Sequence, residues 1–217
     1  SLEEGYVAAL IRDLEMALSD VWGRRLNSVF FGGGTPSLFS ASSIDRILTA
    51  VRTLMPLEHF AEVTLEANPG TFEAQKFVDY RLAGINRLSI GIQSFDPNRL
   101  KAIGRVHDDQ EALRAVEIAQ SNFDAINLDL MYALPGQTLA EAQHDIDTAC
   151  AFGVSHLSAY HLTLEPNTLF HRYPPSLPDD EQTAAMQDII EQTLQQKGYS
   201  HYETSAFAQP GKESRHN

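Results

Sequence analysis

Strand-like and helix-like segments alternate along almost the whole chain, and this alternation constrains the fold more than any other feature. Short apolar runs predict five strands, in the segments SVFF, EVTLEANP, RLSIGIQSF, AINLDLMYALPG and HLSAYHLTLEP. Amphipathic helical patterns lie between them, and a further long helix is predicted over about residues 181–197. Strands that recur every ~25–35 residues with helices between them pair in parallel through right-handed crossovers. The sequence therefore predicts an α/β fold, a parallel sheet with outer helices.

Polar side chains lie where the predicted strands end. Glu66 closes the second strand, Gln93 closes the third, Asp129 lies in the fourth, and Thr163 and Glu165 follow in the fifth. An open doubly wound sheet and a closed or partly closed barrel both fit the alternation, and both bind ligands beyond the carboxyl ends of their strands. A buried polar group needs a partner, which is either another part of the protein or a ligand.

Three consecutive glycines, in the segment GGGTPS, stand directly after the first predicted strand. Their spacing matches neither the dinucleotide motif GxGxxG nor the phosphate loop that ends in GK[ST]. Glycine leaves its backbone N–H and C=O open to a ligand because no Cβ stands in the way. Taken alone, the segment is either a simple turn or the wall of a binding site, and the residues leave both interpretations open.

The charge balance narrows the class of partner. The chain of 217 residues has 16 Lys+Arg against 29 Asp+Glu, a net charge of −13, and no basic cluster. The negative net charge argues against nucleic acid as a partner. No apolar run approaches the ~18 residues of a membrane span. Membrane contact of the intact protein is left open. The single cysteine, Cys150, rules out an internal disulfide framework and indicates a reducing cytoplasm.

The side chains at the strand ends suit a ligand that carries both charges. Carboxylates such as Glu66 and Asp129 hold an ammonium group or ribose hydroxyls, and an arginine such as Arg105 holds a carboxylate. Each of these residues also has a structural interpretation by itself, Arg105 as a surface residue and Gln93 as a tie between two strands. Three histidines (His107, His161 and His171) show no HxH or HExxH spacing, so we interpret them as surface or core residues rather than metal ligands.

Five segments in order resemble a known family. GGGTPS, EANP, LSIGIQSFDPNRLKAIGR, NLDLMYALPGQT and HLSAYHLTLEPNT are similar to the radical S-adenosylmethionine proteins related to oxygen-independent coproporphyrinogen III dehydrogenase. The resemblance covers almost the whole chain. It implies a partial (β/α)6 barrel with S-adenosylmethionine lying across the strand tips.

The resemblance also assigns roles to individual residues. Gly33, Gly34 and Thr35 would contact the methionine part of the cofactor, and Glu66 would assist at the same end. Gln93 and Asp129 would contact the ribose hydroxyls, and Arg105 would pair with the methionine carboxylate. The backbone near Met131 would border the adenine.

The chain departs from the family at its iron–sulfur motif. Family members carry CxxxCxxC in a loop after the first barrel strand, and its three thiolates bind a [4Fe-4S] cluster. This chain has only Cys150, far from that position. We therefore expect that the first strand and the cluster loop are missing here, and that this chain alone neither holds the cluster nor cleaves S-adenosylmethionine.

Two branches of the family are considered, and the sequence favours the branch that binds heme. The segment AYHLTLEPNTLFHRYPPSLPDDE resembles the branch that binds heme and passes it to acceptor proteins, and His216 and Asn217 match the start of that branch's heme-associated HNxxYW motif. The other branch decarboxylates coproporphyrinogen III, so heme or a porphyrinogen is the expected partner. A third hypothesis is a catalytically silent α/β domain that binds another amino-acid-like ligand. We predict a barrel core over residues 1–175 and the start of a C-terminal region over residues 176–217.

Overall fold

The computed structural model describes residues 2–71 and 74–217. The α-helices are α1 (Leu2–Ala17), α2 (Ala41–Leu54), α3 (Ala74–Ala83), α4 (Pro97–Ala102), α5 (Asp109–Gln120), α6 (Leu139–Ala151), α7 (Leu169–Arg172) and α8 (Asp180–Gln196). The strands are β1 (Leu26–Phe31), β2 (Leu57–Ala67), β3 (Arg87–Gln93), β4 (Ala125–Tyr132), β5 (His156–His161), β6 (Ser200–Glu203) and β7 (Ala206–Ala208). In the described part of the chain, no helix is both long enough and apolar enough to cross a membrane.

All described strands belong to one sheet, in the order β1-β2-β3-β4-β5-β7-β6. Strands β1 to β5 are parallel neighbours, as the alternation predicts. The prediction of five strands was incomplete, because β6 and β7 form an antiparallel pair that continues the sheet beyond β5. Both added strands are short, so their sequences SHYE and AFA carry too little alternation to be recognised.

The sheet has one apolar face and one polar face. Along β3, Leu88, Ile90 and Ile92 belong to the main hydrophobic core. The alternate residues of β3 line a cavity on the other face of the sheet. The core lies between the sheet and the helices, which contribute Leu48, Phe77, Val116, Ile146 and Ile190. Because successive side chains of a strand point to opposite faces, this arrangement leaves the inner face of the curled sheet for polar residues.

Side-chain caps fix where several helices begin. Ser40 accepts a hydrogen bond from the backbone N–H of Ser43 and so starts α2 at Ala41. Helices α5, α6 and α8 each begin with a capping box, in which two orphan N–H groups are satisfied reciprocally. Helix α8 packs in the same core as the parallel strands. The predicted boundary at residue 175 stays a prediction.

Candidate functional site

A cavity of about 530 Å³ lies on the polar, inner face of the curled sheet. The residues predicted as ligand contacts that line it are Gly34, Glu66, Gln93, Arg105, Asp129 and Met131. His216 and Asn217 line it as well. Gly33 and Thr35 lie beside it, in an adjoining hollow that Gly34 also borders. The fold therefore brings together residues that are spread over most of the sequence.

The glycine turn after β1 requires glycine for conformational reasons. Gly33 and Gly34 have φ angles of 78° and 59°, in the left-handed region that strains other residues. A Cβ at either position would meet nothing within 4 Å, so the turn borders open space. The backbone N–H of Gly33 donates to Oε2 of Glu66 at 3.0 Å, which joins the turn to the end of β2.

Gln93 ends β3 in an unusual backbone conformation. Its φ angle is 70°, which is rare for a residue other than glycine, and the pairing of β3 with β4 shifts register between Gly91 and Gln93. Its side chain folds back over Gly91, where a Cβ would stand 2.9 Å from Nε2 of Gln93 and 3.0 Å from Oδ1 of Asn68. Gly91 thus gives the amide of Gln93 room to lie along the cavity wall.

Asp145, which was not predicted as a site residue, holds the turn that follows Gln93. From the inner side of α6, its carboxylate accepts hydrogen bonds from Oγ of Ser94 at 2.8 Å and the backbone N–H of Phe95 at 2.7 Å. Burial raises the pKa of Asp145 to about 6. The sequence offered one signal for this role, a carboxylate among apolar helix positions. That signal does not reveal the partner of Asp145, because only the fold shows that α6 packs beside this turn.

Asp129 is the most heavily supported ligand candidate. Oγ of Ser89 donates to its Oδ2 at 2.8 Å, and Nδ2 of Asn127 donates to its Oδ1 at 2.8 Å. Burial is the main cause that raises its pKa to about 6, and the charge of Glu66 adds to this, while the hydrogen bonds from Ser89 and Asn127 oppose it. A carboxylate with fixed orientation and incomplete solvation is suited to accept hydrogen bonds from ligand hydroxyl groups.

Arg105 supplies positive charge to the same cavity. Burial lowers the pKa of its guanidinium, and the charge of Asp129 raises it. Arginine nevertheless stays protonated in proteins because its unperturbed pKa is so high. The cavity therefore offers carboxylates, an amide and a guanidinium, the set that a zwitterionic nucleoside ligand needs.

His216 and Asn217 reach the cavity farther down the strands. Nδ1 of His216 lies 2.8 Å from Oε1 of Glu62, four residues before Glu66 in β2, and the His216 ring is 4.3 Å from the Phe30 ring. Nδ2 of Asn217 donates to the hydroxyl oxygen of Tyr202 at 2.9 Å. Four strand residues span roughly 13 Å, so this pair lies apart from the glycine turn.

The described residues do not fit an iron–sulfur cluster. Such a cluster needs several thiolates, but Cys150 is the one cysteine, and it lies in α6. Burial raises the pKa of its thiol to about 11, which disfavours the thiolate form. No group of three or more His, Cys, Asp or Glu residues in the described part of the chain is arranged to hold a metal ion.

Comparison with known proteins identifies the family. The sequence model of the radical SAM superfamily matches residues 5–149. The chain belongs to the radical SAM superfamily. It is 49% identical over 218 residues to the heme chaperone HemW of Escherichia coli K12, an alignment that covers 99% of this chain and 57% of that protein. It is 37% identical over 218 residues to the heme chaperone HemW of Bacillus subtilis 168, with coverage of 98% and 58%.

A solved radical SAM structure supports the same family and fold. The structure described as coproporphyrinogen III oxidase (HemN) from Escherichia coli, a radical SAM enzyme, superposes with a TM-score of 0.86 at 25% identity. The superposition covers 97% of this chain and 50% of that one. The predicted curled parallel sheet and the family resemblance are thereby confirmed. This chain spans a little over half the length of the HemW relatives that it matches.

Several polar residues of the cavity were not predicted. Ser89, Asn127, His156 and Ser158 occupy inward positions of β3, β4 and β5 and line the cavity together with Asp129. A signal was present, since Asn127 precedes Asp129 by two residues and His156 precedes Ser158 by two, the spacing of one face of a strand. Which of these polar residues become neighbours is visible only once the register between the strands is known.

Proposed function

We propose that this chain is the S-adenosylmethionine-binding half-barrel of a heme chaperone. The observation that carries the proposal is the convergence of Glu66, Gln93, Arg105 and Asp129 on one cavity beside the glycine turn. Membership of the radical SAM superfamily supports the cofactor, and the two HemW relatives support the chaperone activity. Its partners would then be heme and a heme-acceptor protein. We place the protein in the cytoplasm, in line with its single cysteine.

Each end of the cofactor has matching groups in the cavity. Asp129 and Gln93 would accept and donate hydrogen bonds at the two ribose hydroxyls, and the backbone near Met131 would border the adenine. Arg105 would pair with the methionine carboxylate. Glu66, Gly33, Gly34 and Thr35 would surround the methionine ammonium, for which a carboxylate and open backbone carbonyls are suitable acceptors. The thiolates for the family's [4Fe-4S] cluster would have to come from residues outside this chain.

Heme would bind near residues 214–217, where His216 offers an imidazole as an axial ligand. In the structure, that imidazole is hydrogen-bonded to Glu62 and packs against the Phe30 ring in a tilted arrangement. Because Glu62 holds Nδ1, heme coordination would use Nε2, and a carboxylate on the other ring nitrogen is a common support for a metal-bound histidine. The proposal for His216 and Asn217 rests on the start of the HNxxYW motif and on their place at the cavity.

A hemin titration tests the chaperone activity. Saturation of the Soret band near one heme per protein supports it, and a His216→Ala variant should weaken binding by about tenfold or more because an axial ligand is lost. The matched control is His171→Ala, since His171 is exposed and outside the cavity. If hemin binds without saturation, or if both variants behave alike, the heme proposal is wrong.

Coproporphyrinogen III decarboxylation is the second candidate. The superposition with coproporphyrinogen III oxidase at a TM-score of 0.86 favours it. An anaerobic assay of the protein supplied with cluster-bearing residues and S-adenosylmethionine would distinguish the two activities. Consumption of coproporphyrinogen III without saturable heme binding would favour the oxidase activity.

A further inference from the structure

Polar side chains inside the half-barrel form one continuous series of hydrogen bonds. It begins at the carboxylate of Asp129 and passes through Asn127, His156 and Tyr202. It ends at residues 214–217, where Asn217 donates to Tyr202. The series joins the upper part of the cavity, where the ribose would bind, to the segment that carries the predicted heme residues.

The amide of Asn127 can adopt only one orientation. Its Nδ2 donates to Oδ1 of Asp129 and to Oγ of Ser89, both at 2.8 Å. Its Oδ1 accepts from Oγ of Ser158 at 3.1 Å and lies 2.7 Å from Nδ1 of His156. A flipped amide would place its oxygen against the carboxylate of Asp129, and two acceptors repel each other there. Oδ1 of Asn127 therefore faces His156 as an acceptor.

That orientation fixes the tautomer of His156. Since Asn127 presents an acceptor, Nδ1 of His156 must carry the proton, and Nε2 must be the acceptor when the ring is neutral. Burial and the charge of Arg87 lower the pKa of His156 to about 3, against the opposing charge of Glu62. His156 is buried, with 2% of the residue's surface exposed. His156 is thus a neutral ring with one defined donor and one defined acceptor.

Tyr202 fixes the donor-to-acceptor direction of the remaining hydrogen bonds in the series. Its hydroxyl lies 2.6 Å from Nε2 of His156 and must donate to it. The same oxygen accepts from the backbone N–H of Ser214 at 3.0 Å and from Nδ2 of Asn217 at 2.9 Å. Every donor in the series, from Asn217 to Asn127, therefore points towards Asp129. Such uniform polarity strengthens each bond in a buried chain.

We propose that His156 is a positioning residue for the carboxylate of Asp129 and, with Tyr202, couples that carboxylate to residues 214–217. This inference rests on the proposed function, in which Asp129 accepts the ribose hydroxyls. When Tyr202 loses the donors of residues 214–217, its own bond to His156 becomes weaker, and so does the bond from His156 to the amide of Asn127. By linkage, a nucleoside bound at Asp129 stabilises the docked segment, and the docked segment strengthens nucleoside binding.

The hydrogen-bond directions can be tested without any ligand. We expect ¹⁵N NMR of histidine-labelled protein to show His156 as the neutral Nδ1–H tautomer between pH 6 and 8, with the signal assigned by its loss in His156→Phe. In Tyr202→Phe the Nε2 shift should change because its donor is removed. A charged His156, or the Nε2–H tautomer, would overturn the proposal whether or not the protein binds a nucleoside.

Ligand binding tests the coupling. The probe is 5′-methylthioadenosine, which presents the adenine and ribose but needs no cluster, titrated by calorimetry. We expect Tyr202→Phe to weaken binding about threefold to tenfold, since the hydroxyl that joins His156 to residues 214–217 is removed, and His156→Phe about tenfold. His156→Gln, which retains one donor and one acceptor, should restore part of the loss. The matched control His171→Phe should bind like the parent protein.

The outcomes separate this inference from the proposed function. If the parent protein does not bind the probe, the proposed site fails, and the NMR experiment still decides the hydrogen-bond directions. If the parent binds, Asp129→Asn binds poorly, and both Tyr202→Phe and His156→Phe bind normally, the site stands and the coupling is wrong. Should His156→Phe fail to fold, Tyr202→Phe decides alone, because it removes one oxygen and keeps the ring.

Discussion

The backbone N–H of Gly33 donates to Oε2 of Glu66 at 3.0 Å, although the two residues are 33 positions apart in the chain. This bond ties the turn after β1 to the tip of β2, which is the neighbouring strand. The glycine turn is therefore held at a fixed place beside the cavity, while its open side borders the hollow that adjoins the cavity.

Replacing Gly33 by alanine should destabilise the protein and weaken ligand binding. Its φ angle of 78° places a Cβ in the left-handed region, which costs about 1–2 kcal/mol, although the space around the turn is open. Thermal unfolding and 5′-methylthioadenosine titration would measure both effects.

Gly5 provides the matched control for this substitution. It lies within helix α1, also with open space around its Cα, so Gly5→Ala should stabilise the protein by about 0.5–1 kcal/mol. If both variants change the melting temperature in the same direction, backbone strain is not the reason for the glycine at position 33.

Asp129→Asn should weaken nucleoside binding by about tenfold to a hundredfold, because charge-assisted hydrogen bonds to the ribose become neutral ones. The melting temperature at pH 7 should stay the same or rise. Burial raises the pKa of Asp129, so keeping this carboxylate ionised in the folded protein costs free energy that a neutral amide does not. Calorimetric titration and a thermal melt of the same samples would check this. A large fall in melting temperature would mean that Asp129 is structural.

Protonation of Asp129 should change stability and nucleoside affinity in opposite directions. Its pKa is about 6 in the folded protein and 3.8 in the reference state, so between these values the folded state holds more protons than the unfolded state. Compared with Asp129→Asn, the parent should therefore gain stability as the pH falls from about 6 to about 4, on the order of 2 kcal/mol. Nucleoside affinity should fall over the same range, about tenfold at pH 5, because the protonated carboxyl no longer accepts two hydrogen bonds.

Denaturant unfolding at several pH values measures the first effect, and ligand titration measures the second. The comparison with Asp129→Asn is essential, since His156 has a lowered pKa and contributes the opposite slope to the parent protein. Parallel changes in stability and affinity would contradict the assignment of the raised pKa to a ligand-binding carboxylate.

Asp145→Ala should destabilise the protein by about 2–3 kcal/mol, because the hydroxyl of Ser94 and the backbone N–H of Phe95 lose their acceptor in a buried site. Nucleoside affinity should also fall, since these bonds hold the turn that follows Gln93. Chemical denaturation and ligand titration would measure both. Asp147→Ala, an exposed position on the same helix, is the control and should change stability by less than about 0.5 kcal/mol.

The five parallel strands were predictable because each is an apolar run between helical patterns, and local sequence encodes that alternation. The same reasoning, supported by the family resemblance, singled out polar residues of the strands that line the cavity, namely Glu66, Gln93 and Asp129. Thr163 and Glu165, named for the fifth strand, lie beyond the end of β5 and do not line it. Asp145 was missed because its importance depends on α6 packing against a turn about 50 residues earlier in the chain. The left-handed conformation of Gln93 also has no sequence signal, since it depends on the space above Gly91.

The β1 margin of the sheet has a feature that matters for handling the protein. Strand β1 pairs with β2 on one side, and no strand among the described residues pairs with its other side. Its sequence LNSVFF has neither a charged residue nor a proline, the two features that commonly protect an edge strand. An extended segment can therefore continue the backbone ladder there, whether it belongs to the same polypeptide or to a second molecule. In a concentrated sample, pairing with a second molecule competes with pairing inside one polypeptide, and the outcome decides whether the protein aggregates. Dilution favours pairing inside one polypeptide.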